Sequence, residues 1–154
     1  MKTIKNILLF AFIYILWSLG GLIFKIDNSF YNSLNLPSFV LPNKLIGIIW
    51  ATLYLLITIS IFMIIKKKKF CVNSDYFYVL LTNYLANQLF LYGFFTLKSP
   101  FLGFTLTTIT FISSIFLFLE TKILDKKASY LLIPYTLFSI YAMILSTTIY
   151  FMNL

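Results

Sequence analysis

The sequence predicts an all-α integral membrane protein, a single bundle of five transmembrane helices over residues 1–154. Three observations carry that reading. Hydrophobic residues make up 61% of the chain and charged ones 10%, whereas a soluble domain carries about 25% charged residues. The apolar residues gather into five runs of the length, about 20 residues, that crosses some 30 Å of hydrocarbon. The charges, a net +8 from lysine alone, fall between those runs, which is the pattern of a membrane topology signal and not of a nucleic-acid surface.

The spans read in order as residues 7–24, 44–65, 76–97, 101–119 and 128–152. The first follows a short basic start (Lys2, Lys5) and contains Ser18, Gly20 and Gly21. A cleaved signal peptide would also look like this, but the apolar run continues through Leu22, Ile23 and Phe24, so a first transmembrane helix is favoured. The two glycines then serve close helix packing. Residues 25–43 form a long loop in which Pro37 and Pro42 push Leu36 and Leu41 out of the α region. The second span ends at the basic run Lys66–Lys69, a solvated stop in its simplest reading and an anionic-lipid contact in a sharper one.

The third span is polar and aromatic for a membrane helix, with Asn83, Tyr84, Asn87, Gln88, Phe90, Phe94 and Phe95. Lys98-Ser99-Pro100 breaks the chain before the fourth. A charged loop over 120–127 precedes the fifth, where Pro134 is expected to kink the helix. Five crossings place nine lysines on the side of the N-terminus and three (Lys25, Lys44, Lys98) on the other. The N-terminus is therefore expected in the cytoplasm and the C-terminus outside, in a multi-pass protein of the cell membrane.

Several chemistries are excluded. The chain has no histidine and one cysteine, Cys71, so histidine-ligated metal, a His-dependent triad and an internal disulfide are all ruled out. The four acidic residues, Asp27, Asp75, Glu120 and Asp125, lie at span ends or in loops, which argues against a proton relay or ion pump.

What remains is polar-aromatic. Asn83, Asn87, Phe90 and Phe94 share one stripe of the third helix. Tyr135, Phe138, Ala142 and Leu145 form another on the fifth, and Trp50 and Tyr54 sit one turn apart on the second. Two readings of these stripes stay open on spacing alone. The rings fill the core and the asparagines bond between helices, or they line a pocket for a flat, mostly apolar ligand.

Three separated blocks resemble the TspO/MBR family, the translocator proteins or tryptophan-rich sensory proteins. The first is Phe30-Tyr31, Leu34, Pro37, Phe39 and Pro42, leading into Trp50, Leu53 and Tyr54. The second is Asn87, Phe90, Phe94-Phe95, Leu97-Lys98 and Pro100. The third is Ala128, Leu131-Leu132, Pro134-Tyr135, Phe138, Ala142, Leu145 and Asn153. Phe30, Phe39, Phe90 and Phe138 stand where the family pattern has tryptophan, Leu41 where it has proline, and Ser146 where it has asparagine.

The resemblance implies a five-helix bundle, typically a homodimer, that binds porphyrin, haem or a lipid-like small molecule beneath the first loop, with no required cofactor. Together with the helical spacing, which alone nominates Asn83, it places Phe30, Phe39, Trp50, Tyr54, Asn83, Asn87, Phe90, Phe94, Tyr135, Phe138 and Ala142 at the ligand. The expected role is that of sensor or carrier. The rival readings are a porphyrin-modifying enzyme using Trp50 and a membrane scaffold with a vestigial pocket.

Overall fold

The computed structural model describes residues 2–67, 70 and 74–154, so Lys68 and Lys69 of the basic run, and Cys71 beyond it, lie outside the described residues. The protein is an all-α bundle. Its elements are α1 (Lys2–Ile23), α2 (Asn28–Ser33), α3 (Asn43–Lys66), α4 (Ser74–Leu91) with a π-helical extension (Tyr92–Thr96), α5 (Pro100–Leu124), α6 (Lys126–Tyr130) and α7 (Ile133–Met152).

Among the described residues, four segments are long and apolar enough to cross a membrane: Thr3–Ile23, Asn43–Lys66, Pro100–Leu124 and Lys126–Met152. The fifth long helix, α4, is less apolar because it carries Asn83, Asn87 and Gln88. All three are buried inside the bundle, so the polarity of α4 faces protein and not lipid. The outward faces of the other helices carry Ile7, Phe12, Ile48, Phe116 and Leu137, all exposed. This inversion of the soluble pattern is what a chain solvated by acyl chains requires.

Caps set the helix ends. The Pro42 carbonyl accepts the Leu45 and Ile46 amides to open α3. Ser99 N-caps α5 through the Leu102 amide, with Pro100 in the first turn, where a missing N–H costs nothing. Lys98, at φ 51°, makes the left-handed step before it. Asp125 closes α5 and at the same time caps α6 through the Lys127 amide. The stretch predicted as a charged loop, 120–127, is thus mostly helix, because Glu120, Thr121 and Lys122 do not oppose helix formation and one side chain turns the corner. Pro134 also acts differently from expectation. The helix is interrupted at Leu131-Leu132, and the proline lies in the first turn of α7, where it needs no kink. The loop predicted over 25–43 contains α2.

Helix α5 is the hub. It packs against α4 on one side and α7 on the other, while α1 lies against α3 and α4. Its inward stripe is Gly103, Thr107, Thr110, Ser114, Leu117 and Thr121, small side chains that let backbones approach. Gly103 is required by contact, because a Cβ there would run into the Phe94 ring. By contrast α3 touches α7 only sparsely.

Helix α1 is held by an amide clasp. Gln88 accepts from the Gly20 amide at 2.6 Å and donates to the Trp17 carbonyl at 3.0 Å. The Tyr84 hydroxyl donates to the Leu16 carbonyl at 3.3 Å. A Cβ on Gly20 would lie 2.9 Å from Gln88 Oε1, whereas one on Gly21 would meet nothing within 4 Å. Close packing therefore explains Gly20 and not Gly21. Gly20→Ala is expected to displace the Gln88 amide and cost about 1–3 kcal/mol, the usual range for overpacking. Gly21→Ala should leave stability unchanged. Thermal unfolding of the two variants in detergent checks the contrast.

Candidate functional site

Between the sparsely touching α3 and α7, and beneath the segment that joins α1 to α3, lies a cavity of about 450 Å³. Helix α3 brings Trp50 and Tyr54 to it, α4 brings Asn87, Phe90 and Phe94, and α7 brings Phe138 and Ala142. These are seven of the residues that the sequence nominates. The π turn adds Phe95. A hydrogen bond from the Leu97 amide to the Tyr92 carbonyl, five residues back, widens the helix there. Phe94 and Phe95, adjacent in sequence, are then both buried, with perpendicular rings 4.9 Å apart. Phe90 stacks on Phe94 at 5.5 Å, and Trp50 meets Phe138 edge to face at 5.5 Å.

Four nominated residues lie elsewhere. Asn83 and Tyr135, both 0% exposed, sit behind the cavity wall and do not line it. Phe30 packs edge to face on Phe94 from the loop side, and Phe39 is 45% exposed. Sequence reasoning also missed Ser18, Tyr141 and a hydroxyl-bearing wall formed by Thr107, Thr110, Ser139 and Ser146. Ser146 was visible as a departure from the family pattern. The threonines of α5 carried no signal beyond composition.

The wall is built on a chain of hydrogen bonds. The Tyr54 hydroxyl donates to Asn87 Oδ1 at 2.6 Å, and Asn87 Nδ2 donates to the Tyr135 hydroxyl at 3.5 Å. The Tyr135 hydroxyl donates to Asn83 Oδ1 at 2.8 Å. Asn83 Nδ2 then reaches the Thr110 carbonyl at 3.0 Å and Ser113 Oγ at 2.8 Å. Asn87 thus ties α3 to α4 and α7, and its oxygen is already engaged. The Trp50 indole has no hydrogen-bond partner among the described residues and borders the cavity. No charged side chain is among those lining the cavity.

The roof is the segment between α1 and α3, tethered at three places. Asp27 N-caps α2 through the Ser29 and Phe30 amides and pairs with Lys98 at 3.0 Å. Asn35 and Asn153 exchange hydrogen bonds, Asn35 N–H to Oδ1 at 2.8 Å and Nδ2 to the Asn35 carbonyl at 3.0 Å. The Tyr141 hydroxyl accepts from the Leu41 amide at 3.1 Å and donates to the Phe39 carbonyl at 3.3 Å. Tyr31 packs its ring on Phe94 and Phe95. On the flank between α1 and α3 the wall consists of Ser18, Gly21, Gly47 and Ala51. A Cβ at either glycine would meet nothing within 4 Å, so the wall is thinnest there.

An all-helical bundle with apolar outer faces, buried amides and a ring-lined cavity has the build of a polytopic membrane protein. Comparison with known proteins makes this specific: the model of the TspO/MBR family matches residues 7–152, and the chain belongs to that family. It is similar to the uncharacterized membrane protein YtaB of Bacillus subtilis (strain 168), 37% identical over 153 residues, covering 99% of each chain. It is also similar to the tryptophan-rich protein TspO of Bacillus cereus (strain ATCC 14579), 36% identical over 149 residues and 97% of each chain.

Two predictions follow from the tethers and the wall. Asn87→Leu removes the link between Tyr54 and Tyr135 and is expected to cost about 0.6–1.7 kcal/mol, the range for hydrogen bonds between membrane helices. A double-mutant cycle with Tyr54→Phe should show coupling of similar size, and purely additive losses would contradict the chain. The Ser29 hydroxyl, the Phe30 amide and Lys98 together hold the Asp27 carboxyl well below the ordinary carboxylate range. A depressed folded-state value stabilises at neutral pH, and that support is lost only as the pH falls below about 4. Amide exchange in residues 27–36 should therefore be unaffected by this group between about pH 5 and 8. Asp27→Asn should raise that exchange at neutral pH.

Proposed function

We propose that this protein binds a tetrapyrrole, or a similarly flat and mostly apolar molecule, and acts as a membrane sensor or carrier for it. The observation that carries the reading is the cavity: about 450 Å³, within the range of small-molecule sites, walled by rings from α3, α4 and α7 and roofed by a tethered segment. Rings at the wall offer stacking faces to a planar ligand. A porphyrin's carboxylates would not enter an uncharged interior, because burying an unpaired charge is costly. Lys25 and Lys44, both exposed, adjoin the lining residues Ile26 and Asn43 in sequence and offer those carboxylates partners at the rim. The name of the Bacillus cereus relative, a tryptophan-rich protein, agrees with an aromatic site, although phenylalanine holds most of the ring positions in this chain.

The test is a titration of the detergent-solubilised protein with protoporphyrin IX, read at the Soret band. Saturable binding is expected. Ala142→Phe, which places a ring in the cavity, should weaken it more than about tenfold, as loss of two or more kcal/mol would. Unaltered affinity in a folded Ala142→Phe variant, or no saturable binding to the parent protein, would overturn the reading.

We further propose that the tethered roof faces outward in the cell membrane. The support is the lysine asymmetry of the sequence together with the fold, in which Asn153 shares an end with the roof through Asn35. Lys66 and Asn6 meet at the other end. A C-terminal alkaline phosphatase fusion should be active, and a C-terminal fusion to a fluorescent protein that matures only in the cytoplasm should be dark.

A further inference from the structure

In a membrane helix a serine or threonine hydroxyl normally bonds to the carbonyl one turn back, since no water is available. This protein follows that rule closely. Thr58, Thr107, Ser113, Ser139, Thr147 and Thr148 all do so. Two hydroxyls that line the cavity, on residues otherwise buried, do not. Thr110 on α5 is 4% exposed and Ser146 on α7 is 5% exposed, both border the cavity, and neither hydroxyl has a hydrogen-bond partner among the described residues. Ser60 and Thr121 are also unpaired, but their oxygens are sealed in the core and do not line this cavity.

The register of α5 and α7 places the two residues one helical turn apart along the wall. The Ser114–Ser139 hydroxyl pair at 3.1 Å and the stacked Phe104 and Tyr150 rings fix the antiparallel register of α5 and α7. That register sets Ser146 level with Thr107, one turn of α5 from Thr110, a rise of about 5 Å. Unlike the sealed oxygens of Ser60 and Thr121, these two keep access to the cavity, so two unpartnered hydroxyls on one wall of an open space constitute an unfilled polar subsite. No charge lines the cavity, so an ionised group would be buried there without a counter-ion.

We propose that Thr110 and Ser146 form a subsite that hydrogen-bonds one uncharged oxygen of the ligand, a carbonyl or hydroxyl, at the α5–α7 wall. This rests on the cavity being a ligand site and adds to it a preference, among flat apolar molecules, for those carrying a neutral carbonyl or hydroxyl on the buried edge. The hydroxyls are positioned to donate to a carbonyl, and the rings of Phe90, Phe94 and Phe138 supply the apolar remainder.

The test uses two probes of one shape, 9-fluorenone and fluorene, which differ by a single carbonyl. Affinities for the full chain in lipid nanodiscs are measured by thermophoresis against empty nanodiscs, for the parent protein and for Thr110→Val/Ser146→Ala. Fluorenone is expected to bind about 2- to 10-fold tighter than fluorene, the equivalent of one net hydrogen bond. The double variant should lose that preference while keeping its fluorene affinity, which doubles as the check that the cavity is intact. The infrared carbonyl stretch of bound fluorenone should lie lower in the parent than in the variant. Equal affinities for the two probes, or a preference that survives the double substitution, would overturn the subsite while leaving the cavity as a ligand site. Failure of both probes to bind would overturn the subsite for ligands of this class, whereas the ligand-site reading itself stands or falls with the porphyrin titration.

Discussion

The interaction on which the rest of the structure depends is the buried run of hydroxyl and amide groups from Tyr54 through Asn87, Tyr135 and Asn83 to the Thr110 carbonyl. In hydrocarbon an unpaired polar group costs several kcal/mol, and no water is present to relieve it. Each member of this run can be satisfied only if α3, α4, α5 and α7 hold one mutual arrangement. The apolar surfaces do not supply that constraint, because lipid tails solvate Leu and Ile as well as a neighbouring helix does. Helix position is therefore specified by a handful of polar contacts, with the Gln88 clasp on Gly20 and Trp17 performing the same task for α1.

That run also marks where packing ends and the cavity begins. On its far side Ile57, Ile64, Leu117 and Leu132 form a closed core with the Tyr135 ring. On its near side the rings of Phe94, Phe95 and Tyr31 make a second cluster with Leu145 and Ile149. The space between the clusters persists because the π turn directs two consecutive phenylalanines inward, Gly103 yields to one of them, and α3 stays clear of α7. Small residues on α5 draw α7 close, whereas α3 stands off from α7.

Much of this was legible in the sequence. Apolar runs separated by lysine gave the helical bundle, and the Asn87, Phe90, Phe94 stripe and the Trp50, Tyr54 pair do face the cavity. Asn83 and Tyr135 share those stripes yet sit behind the wall. Periodicity assigns a face of a helix and not a depth along it, and their depth is set by partners on other helices. The loop residues Phe30 and Phe39 were nominated by family pattern, but the structure uses Phe30 to brace Phe94 from above and leaves Phe39 outside. The π turn had no sequence signature that separates it from an ordinary helix end. The role of Asp125 in joining α5 to α6 was hidden by its place in a charged stretch that reads as loop.

The departures from the family pattern acquire a physical sense in this setting. Phenylalanine at 90 and 138 keeps flat apolar area at the cavity but removes the indole N–H. The unengaged donors that remain on the wall include the Trp50 indole and the hydroxyls of Thr110 and Ser146. Asn87 has its oxygen committed to Tyr54 and one N–H turned to Tyr135, so it fixes the scaffold before it can address a ligand. On the proposed reading, recognition falls to single donors on rigid helices, among them one on α3 and two on the α5–α7 wall, with rings between them. A flat molecule held by its faces is free to slide or rotate in its own plane. A donor at its edge removes that freedom, and two donors one helical turn apart remove it for a carbonyl or hydroxyl at one end of the cavity.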